Sequence, residues 1–141
     1  MEGKFEGNFE DGVCPWTWTG SAKIFEQYLR NGCKPVKYGQ CWVFAALATT
    51  MCRALGIPAR PVTNYASAHD TNHSLSIDKY FDVFGDEIKG GPDGESFDSI
   101  WNFHSWTETW MARPDLPHGY GGWQVIDPTP QEFFHKGTCI F

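Results

Sequence analysis

The chain has 141 residues, of which 41% are apolar and 16% aromatic, and its formal net charge is −6. That is the composition of one domain with a packed core, not of a disordered or fibrous chain. Lysine and arginine are scattered with no basic stripe, which argues against a nucleic-acid partner, and no apolar run approaches the roughly 20 residues that span a bilayer.

The N-terminal residues Met1–Gly12 are acidic and glycine-rich. They lack the basic stretch and apolar run of a secretory leader. The expectation is a cytoplasmic protein, or an extracellular one released by an unconventional route. Residues 1–18 read as irregular, broken by Gly3, Gly7, Gly12 and Pro15. From Gly20 to Arg30, Ile24, Phe25, Tyr28 and Leu29 recur at helical spacing, and Gly32 supplies a stop. A second helix is expected from Gly39 to Leu55, with a broad apolar face that includes Trp42, Ala45, Met51 and Cys52. Gly56 and Pro58 end it.

The period then changes to two. Ala59–Asn64 and Ser74–Phe84 read as strands, Gly85-Asp86 as a turn and Lys89–Glu95 as a loop. Ser99–Met111 is a long strand, and Gly121–Thr129 is another, closed by Pro128 and Pro130. Helices first and strands later imply an α+β fold with an antiparallel sheet.

The cysteines are Cys14, Cys33, Cys41, Cys52 and Cys139, an odd number with no C-x-x-C pair. That argues against a disulfide framework and against a structural zinc knuckle, and leaves at least one thiol free. Cys41 stands at the expected start of the second helix, where unpaired N–H groups and the helix dipole favour an anion. The thiolate is the reactive form of cysteine, and Gly39 leaves room for a sharp turn above the sulfur. On position alone, a small buried hydrophobe explains Cys41 as well as a nucleophile does.

Companion residues add weight. Alternation along the long strand puts Ile100, Asn102, His104 and Trp106 on one face. His104 would meet the Cys41 sulfur if the helix packs on that face. Asp127 ends the following strand and, if the two strands are neighbours, accepts a bond from the imidazole. The plainer alternatives are a satisfied strand histidine and an aspartate making a local turn bond before proline. His69 and His73 fall in a polar loop region, and His118 and His135 in loops.

Five motifs then stand in register. They are Tyr38-Gly39-Gln40-Cys41-Trp42-Val43-Phe44, Val62-Thr63-Asn64-Tyr65 with Ser67-Ala68-His69-Asp70, Trp101-Asn102-Phe103-His104, Arg113-Pro114-Asp115-Leu116, and Gly122-Trp123-Gln124 with Asp127-Pro128-Thr129-Pro130-Gln131-Glu132. Together they resemble the animal calcium-dependent transglutaminases, from about Gly3 to Glu132. The resemblance implies a papain-like cysteine-proteinase core and acyl transfer from a protein glutamine to a lysine or small primary amine. The transfer runs through a cysteine thioester and releases ammonia. It implies Cys41, His104 and Asp127 as the triad and Trp101 as one wall of the amine channel. At the position where the family has an oxyanion-binding tryptophan this chain has Phe5, which has no N–H to donate.

The same resemblance implies Ca²⁺ at a loop whose oxygen ligands are spaced two apart, Asp70, Asn72, Ser74 and Ser76, with Asp98 before the histidine strand. Hard cations take six to eight such oxygens. A polar surface turn is the plainer reading. The implied partners are glutamine- and lysine-bearing proteins and primary amines. Residues 1–132 are read as a partial catalytic core truncated at both ends, and residues 133–141 as a divergent tail. A non-catalytic scaffold that keeps the fold without turnover is the alternative function, and a thiol peptidase on the same core is a third.

Overall fold

The computed structural model describes residues 1–71, 74–94 and 96–130. They fall into two compact units. One comprises Met1–Thr63 with Ser105–Thr129, and the other centres on Asn64–His104.

The first unit opens with a short strand, β1 (Glu2–Gly3), which runs parallel to β2 (Lys37–Gly39). Neither was visible in the sequence, because strands of two and three residues are too short to show a period. A 3-10 turn at Pro15–Thr17 leads to helix α1 (Ser21–Arg30), and helix α2 spans Cys41–Ala54. Both expected stop signals operate. Gly32 and Gly56 take positive φ, and the N–H groups of Cys33 and Ile57 close back onto the carbonyls of Tyr28 and Cys52 at 2.9 Å. Ile24, Val36, Val43 and Leu47 form the buried core, with Met1, Trp18, Phe25 and Trp42 packed against it.

Three further strands form one sheet in the order β3 (Ala59–His69), β4 (Ser99–Met111), β5 (Gly122–Ile126). β4 has the expected bounds, and it is antiparallel to β5 with Thr107 opposite Ile126 and Met111 opposite Gly122. The α+β class with an antiparallel sheet therefore holds. In the first unit, Ser105, Thr107 and Thr109 form the buried face of β4, and α2 lies on it. The Thr107 hydroxyl donates to the Ala45 carbonyl at 2.8 Å and lies 3.3 Å from the Thr49 hydroxyl. The other face carries Arg60, whose guanidinium pairs with Glu108 at 2.7 Å and lies 4.1 Å from the Trp123 ring centre. Trp110 meets Trp123 edge-on across the strand pair.

In the second unit, residues 74–84 are not the strand that their Ile, Tyr, Phe and Val content suggested. Only an isolated bridge pairs Phe81 with Glu87. Local polar bonds hold the segment instead. Asp82 accepts the N–H groups of Phe84 and Asp86 at 2.8 and 2.9 Å, and Val83 and Phe84 are left 93% and 88% exposed. β3 conversely runs five residues beyond its expected end at Asn64.

Candidate active site

Cys41 is the first residue of α2 and is buried, 4% exposed. Gln40, the residue before it, is extended (φ −128°, ψ −178°). Its carbonyl accepts the N–H groups of Val43 at 2.8 Å and Phe44 at 3.1 Å. A trans peptide points its N–H opposite to its C=O. With the Gln40 carbonyl turned down the helix, the Cys41 N–H points out past the helix N-terminus. That is the orientation of a donor to an oxyanion formed beside the sulfur.

β1 and β2 build the approach to Cys41. Gly39 has close neighbours. A Cβ there would come within 2.8 Å of the Met1 side chain, so the glycine admits the crossing of the N-terminal strand. Gly12 is equally constrained, since its Cβ would meet Lys37 at 2.7 Å. Trp18 supports β2 by donating its indole N–H to the Tyr38 carbonyl at 2.9 Å. Tyr38 and Lys37 both donate to Asp11, at 2.8 Å in each case to Oδ2. These bonds, Lys37 foremost, lower the Asp11 pKa to about 2. The Lys4 ammonium lies 4.7 Å from the Tyr38 ring centre. The sequence reading missed this brace, because nothing local links Asp11 to residues 26 and 27 positions further on.

Phe5 is half-buried in the first unit, with its ring 3.4 Å from where a Cβ on Gly3 would stand. Asp127 follows β5 and is exposed. Its Oδ1 accepts the Thr129 N–H at 3.0 Å, the local turn bond that the plainer reading anticipated.

His104 ends the central segment of the second unit. Its ring meets Trp101 edge-on, with centroids 5.5 Å apart. Residues three apart would face opposite ways in a regular strand, so strict alternation does not hold around His104. Trp101 in turn stacks on His69 at 4.2 Å with planes 24° apart. His69 lies on β3, not in a loop, and the sequence reading undervalued it. The one available signal was that Ser67-Ala68-His69-Asp70 belongs to a motif. Of the predicted site, Cys41, Asp127 and Phe5 thus belong to the first unit, and His104 and Trp101 to the second.

The predicted metal ligands are engaged with their own loop. Asp98 accepts the Thr71 N–H and hydroxyl at 2.8 and 2.6 Å on one oxygen and the Asp78 N–H at 3.0 Å on the other. The Thr71 hydroxyl is the first cause of its lowered pKa. Asp70 accepts the Leu75 N–H at 2.8 Å. Ser74 and Ser76 lie 2.8 Å apart, and Ser76 donates to Asp78 at 3.0 Å. Asn72 lies outside the described residues, as does the tail 133–141. Among the described residues, no group of three or more His, Cys, Asp or Glu side chains is disposed to hold a metal. Nor is any helix long and apolar enough to cross a membrane.

The profile of the Transglutaminase-like superfamily matches residues 20–128. The chain is 62% identical over 132 residues to the hemocyte protein-glutamine gamma-glutamyltransferase of Tachypleus tridentatus, covering 94% of this chain and 17% of that protein. It is 55% identical over 137 residues to protein-glutamine gamma-glutamyltransferase 2 of Homo sapiens, covering 97% of this chain and 19% of that one. The crystal structure of red sea bream transglutaminase superimposes with a TM-score of 0.82 at 51% identity, over 99% of this chain and 20% of that chain. The chain thus spans about a fifth of the length of these relatives.

Proposed function

The chain belongs to the transglutaminase-like superfamily, and on that premise we propose that it carries the acyl-transfer centre of a protein-glutamine γ-glutamyltransferase. The observation that carries the reading is Cys41 at the start of α2 with its N–H directed out of the helix. In the proposed reaction Cys41 passes its thiol proton to His104, and the sulfur attacks the side-chain amide carbon of a protein-bound glutamine. The S–C bond forms, and the carbonyl oxygen takes negative charge beside the Cys41 N–H. His104 gives its proton to the departing nitrogen, the C–N bond breaks, and ammonia leaves a thioester. A lysine amine then loses a proton to His104 and attacks the thioester carbon. The C–S bond breaks, His104 returns the proton to the sulfur, and an isopeptide bond and the free thiol result. Asp127 keeps the imidazole in its working tautomer and stabilises its charged form. Trp101 and Phe5 would line the approach of the amine. An apolar approach favours the neutral amine and excludes water, which biases the thioester towards transfer rather than hydrolysis.

Ca²⁺ belongs to the same proposal. The oxygens of Asp70, Asn72, Ser74, Ser76 and Asp98 are hard donors of the chemistry that Ca²⁺ takes. Binding there would exchange the present bonds of Asp98 and Asp70 to N–H groups for bonds to the ion. Its contribution would be to order the loop, and no step of the transfer runs through it.

The test is incorporation of a fluorescent primary amine into a glutamine-rich protein, with and without Ca²⁺. Incorporation by the wild-type chain, abolished by Cys41→Ala, is the expected result. Absence of any Cys41-dependent incorporation would remove the reading. Phe5 favours a second reading, a scaffold that keeps the fold without turnover, because phenylalanine offers no N–H to the oxyanion. On that reading iodoacetamide labels Cys41 no faster than Cys52 at neutral pH.

A further inference from the structure

The residue before Cys41 breaks a local rule. A helix N-cap is ordinarily Ser, Thr, Asp or Asn, whose side-chain oxygen accepts an N–H of the first turn. Here the position is Gln40, and no side chain caps α2. Its amide turns the other way and donates to the Lys4 carbonyl at 2.9 Å. The Lys4 N–H donates in turn to the Gly39 carbonyl at 3.1 Å. Gln40 therefore adds one side-chain rung to the β1–β2 ladder beyond its last backbone bond.

The consequence for Cys41 follows from what else Gln40 does. Its carbonyl is held by Val43 and Phe44 on the helix side, and its side chain is held by Lys4 on the strand side. The peptide that joins Gln40 to Cys41 is thus gripped from both ends and resists rotation about its axis. That peptide carries the Cys41 N–H. Departures from a local rule concentrate at functional positions, and this one has a direct chemical use.

We propose that Gln40 is a positioning residue for acyl transfer. Its amide anchors the Lys4 carbonyl, and through that anchor it fixes the direction in which the Cys41 N–H meets the developing oxyanion. The inference rests on the proposed function, since it needs Cys41 to be acylated.

Two probes separate positioning from general structural support. Alkylation of Cys41 by iodoacetamide forms an S–C bond by displacing iodide and generates no oxyanion. Acylation by p-nitrophenyl acetate forms a thioester and expels nitrophenolate through a tetrahedral oxyanion, so it depends on the N–H. Gln40→Met keeps the side-chain length without the donor. It is expected to lower the acylation rate about tenfold or more while the alkylation rate stays within about twofold, since misdirecting one oxyanion donor acts on the first reaction alone. Gln40→Ser supplies an ordinary cap, and it is expected to leave the melting temperature unchanged or raised while acylation falls. Equal rates in wild type and Gln40→Met, or a parallel fall in both reactions with a lowered melting temperature, would overturn the proposal. A wild-type chain with no Cys41-dependent acylation would instead overturn the proposed function from which this inference starts.

Discussion

The Tyr38 hydroxyl lies 2.9 and 2.8 Å from the two carboxylate oxygens of Asp11, and Tyr38 is only three residues ahead of Cys41. The backbone of Tyr38 is pinned as well. Its N–H donates to the Val13 carbonyl at 3.1 Å, and its carbonyl accepts the Trp18 indole. The strand that leads into Cys41 is therefore fixed by side chains from a loop that the sequence left irregular.

This brace should respond to acid. The folded-state pKa of Asp11 is about 2, against an ordinary value of 3.8. A carboxylate with a depressed pKa contributes stability above its unfolded value and loses it as pH falls through the folded one. The contribution of Asp11 is thus complete above about pH 4 and gone near pH 2. Urea midpoints measured at pH 6, 4 and 2 should fall more steeply for wild type than for Asp11→Asn, with the difference confined to the interval below pH 4. Parallel profiles for the two proteins would show that Asp11 is not held as described.

Thr107 tests the contact between α2 and the sheet. It is fully buried, donates to Ala45 at 2.8 Å and neighbours Thr49 at 3.3 Å. Thr107→Val keeps the shape but takes away the hydroxyl that donates to the Ala45 carbonyl and neighbours the Thr49 hydroxyl, leaving both without it, which should cost about 1–3 kcal/mol. Adding Thr49→Val should cost less than its single-mutant value, because it removes a hydroxyl already left without Thr107. Urea denaturation of the two single variants and the double variant measures both effects.

Thr107 also explains what the sequence did and did not disclose. Long elements with clear stops were legible. α1 and α2 were placed to within a few residues because Gly32 and Gly56 end them, and β4 was placed at Ser99–Met111. The faces of β4 were harder. Its buried side is Ser105, Thr107 and Thr109, while Ile100 and Trp110 are 59% and 55% exposed. Apolar alternation follows the wrong side when hydroxyls bond to a helix carbonyl. Residues 74–84 misled in the opposite sense, since high β-propensity without a partner strand gives no sheet. The position of Cys41 at the start of α2 was legible because a helix start has a local signature. The contacts of Asp11, Gln40 and His69 were not, because they reach Tyr38, Lys4 and Trp101 across 27, 36 and 32 residues.

Asp98 ties the loop of the second unit together through Thr71 and Asp78. Asp98→Ala removes three accepted bonds at once, and the 70–98 segment should become the first site of trypsin cleavage, at Lys79 or Lys89. The cleavage rate should rise severalfold while Lys23 and Arg53 in the helices stay protected. If Ca²⁺ uses the same oxygens, millimolar Ca²⁺ should slow cleavage of wild type and leave Asp98→Ala unaffected. Equal protection of both proteins by Ca²⁺ would place the ion elsewhere.

Phe5 offers a gain-of-function test. The segment that bears it is held to the helix start, with the Lys4 N–H on Gly39 and the Lys4 carbonyl on Gln40. Phenylalanine fills space there but donates nothing. Phe5→Trp would bring an indole N–H to the side of the first turn where the Cys41 N–H emerges. A second donor to the oxyanion is worth on the order of a hundredfold in rate when it is well aimed. Acylation of Cys41 by p-nitrophenyl acetate should therefore rise by about tenfold or more in Phe5→Trp. Alkylation by iodoacetamide should not change, because that reaction develops no charge on oxygen. Phe5→Leu, which lacks a donor as phenylalanine does, should stay near the wild-type acylation rate and so controls for the loss of the ring. A Phe5→Trp chain that melts at the wild-type temperature and acylates at the wild-type rate would mean that position 5 does not face the oxyanion. The Cys41 N–H would then be the donor that this segment leaves to work without help.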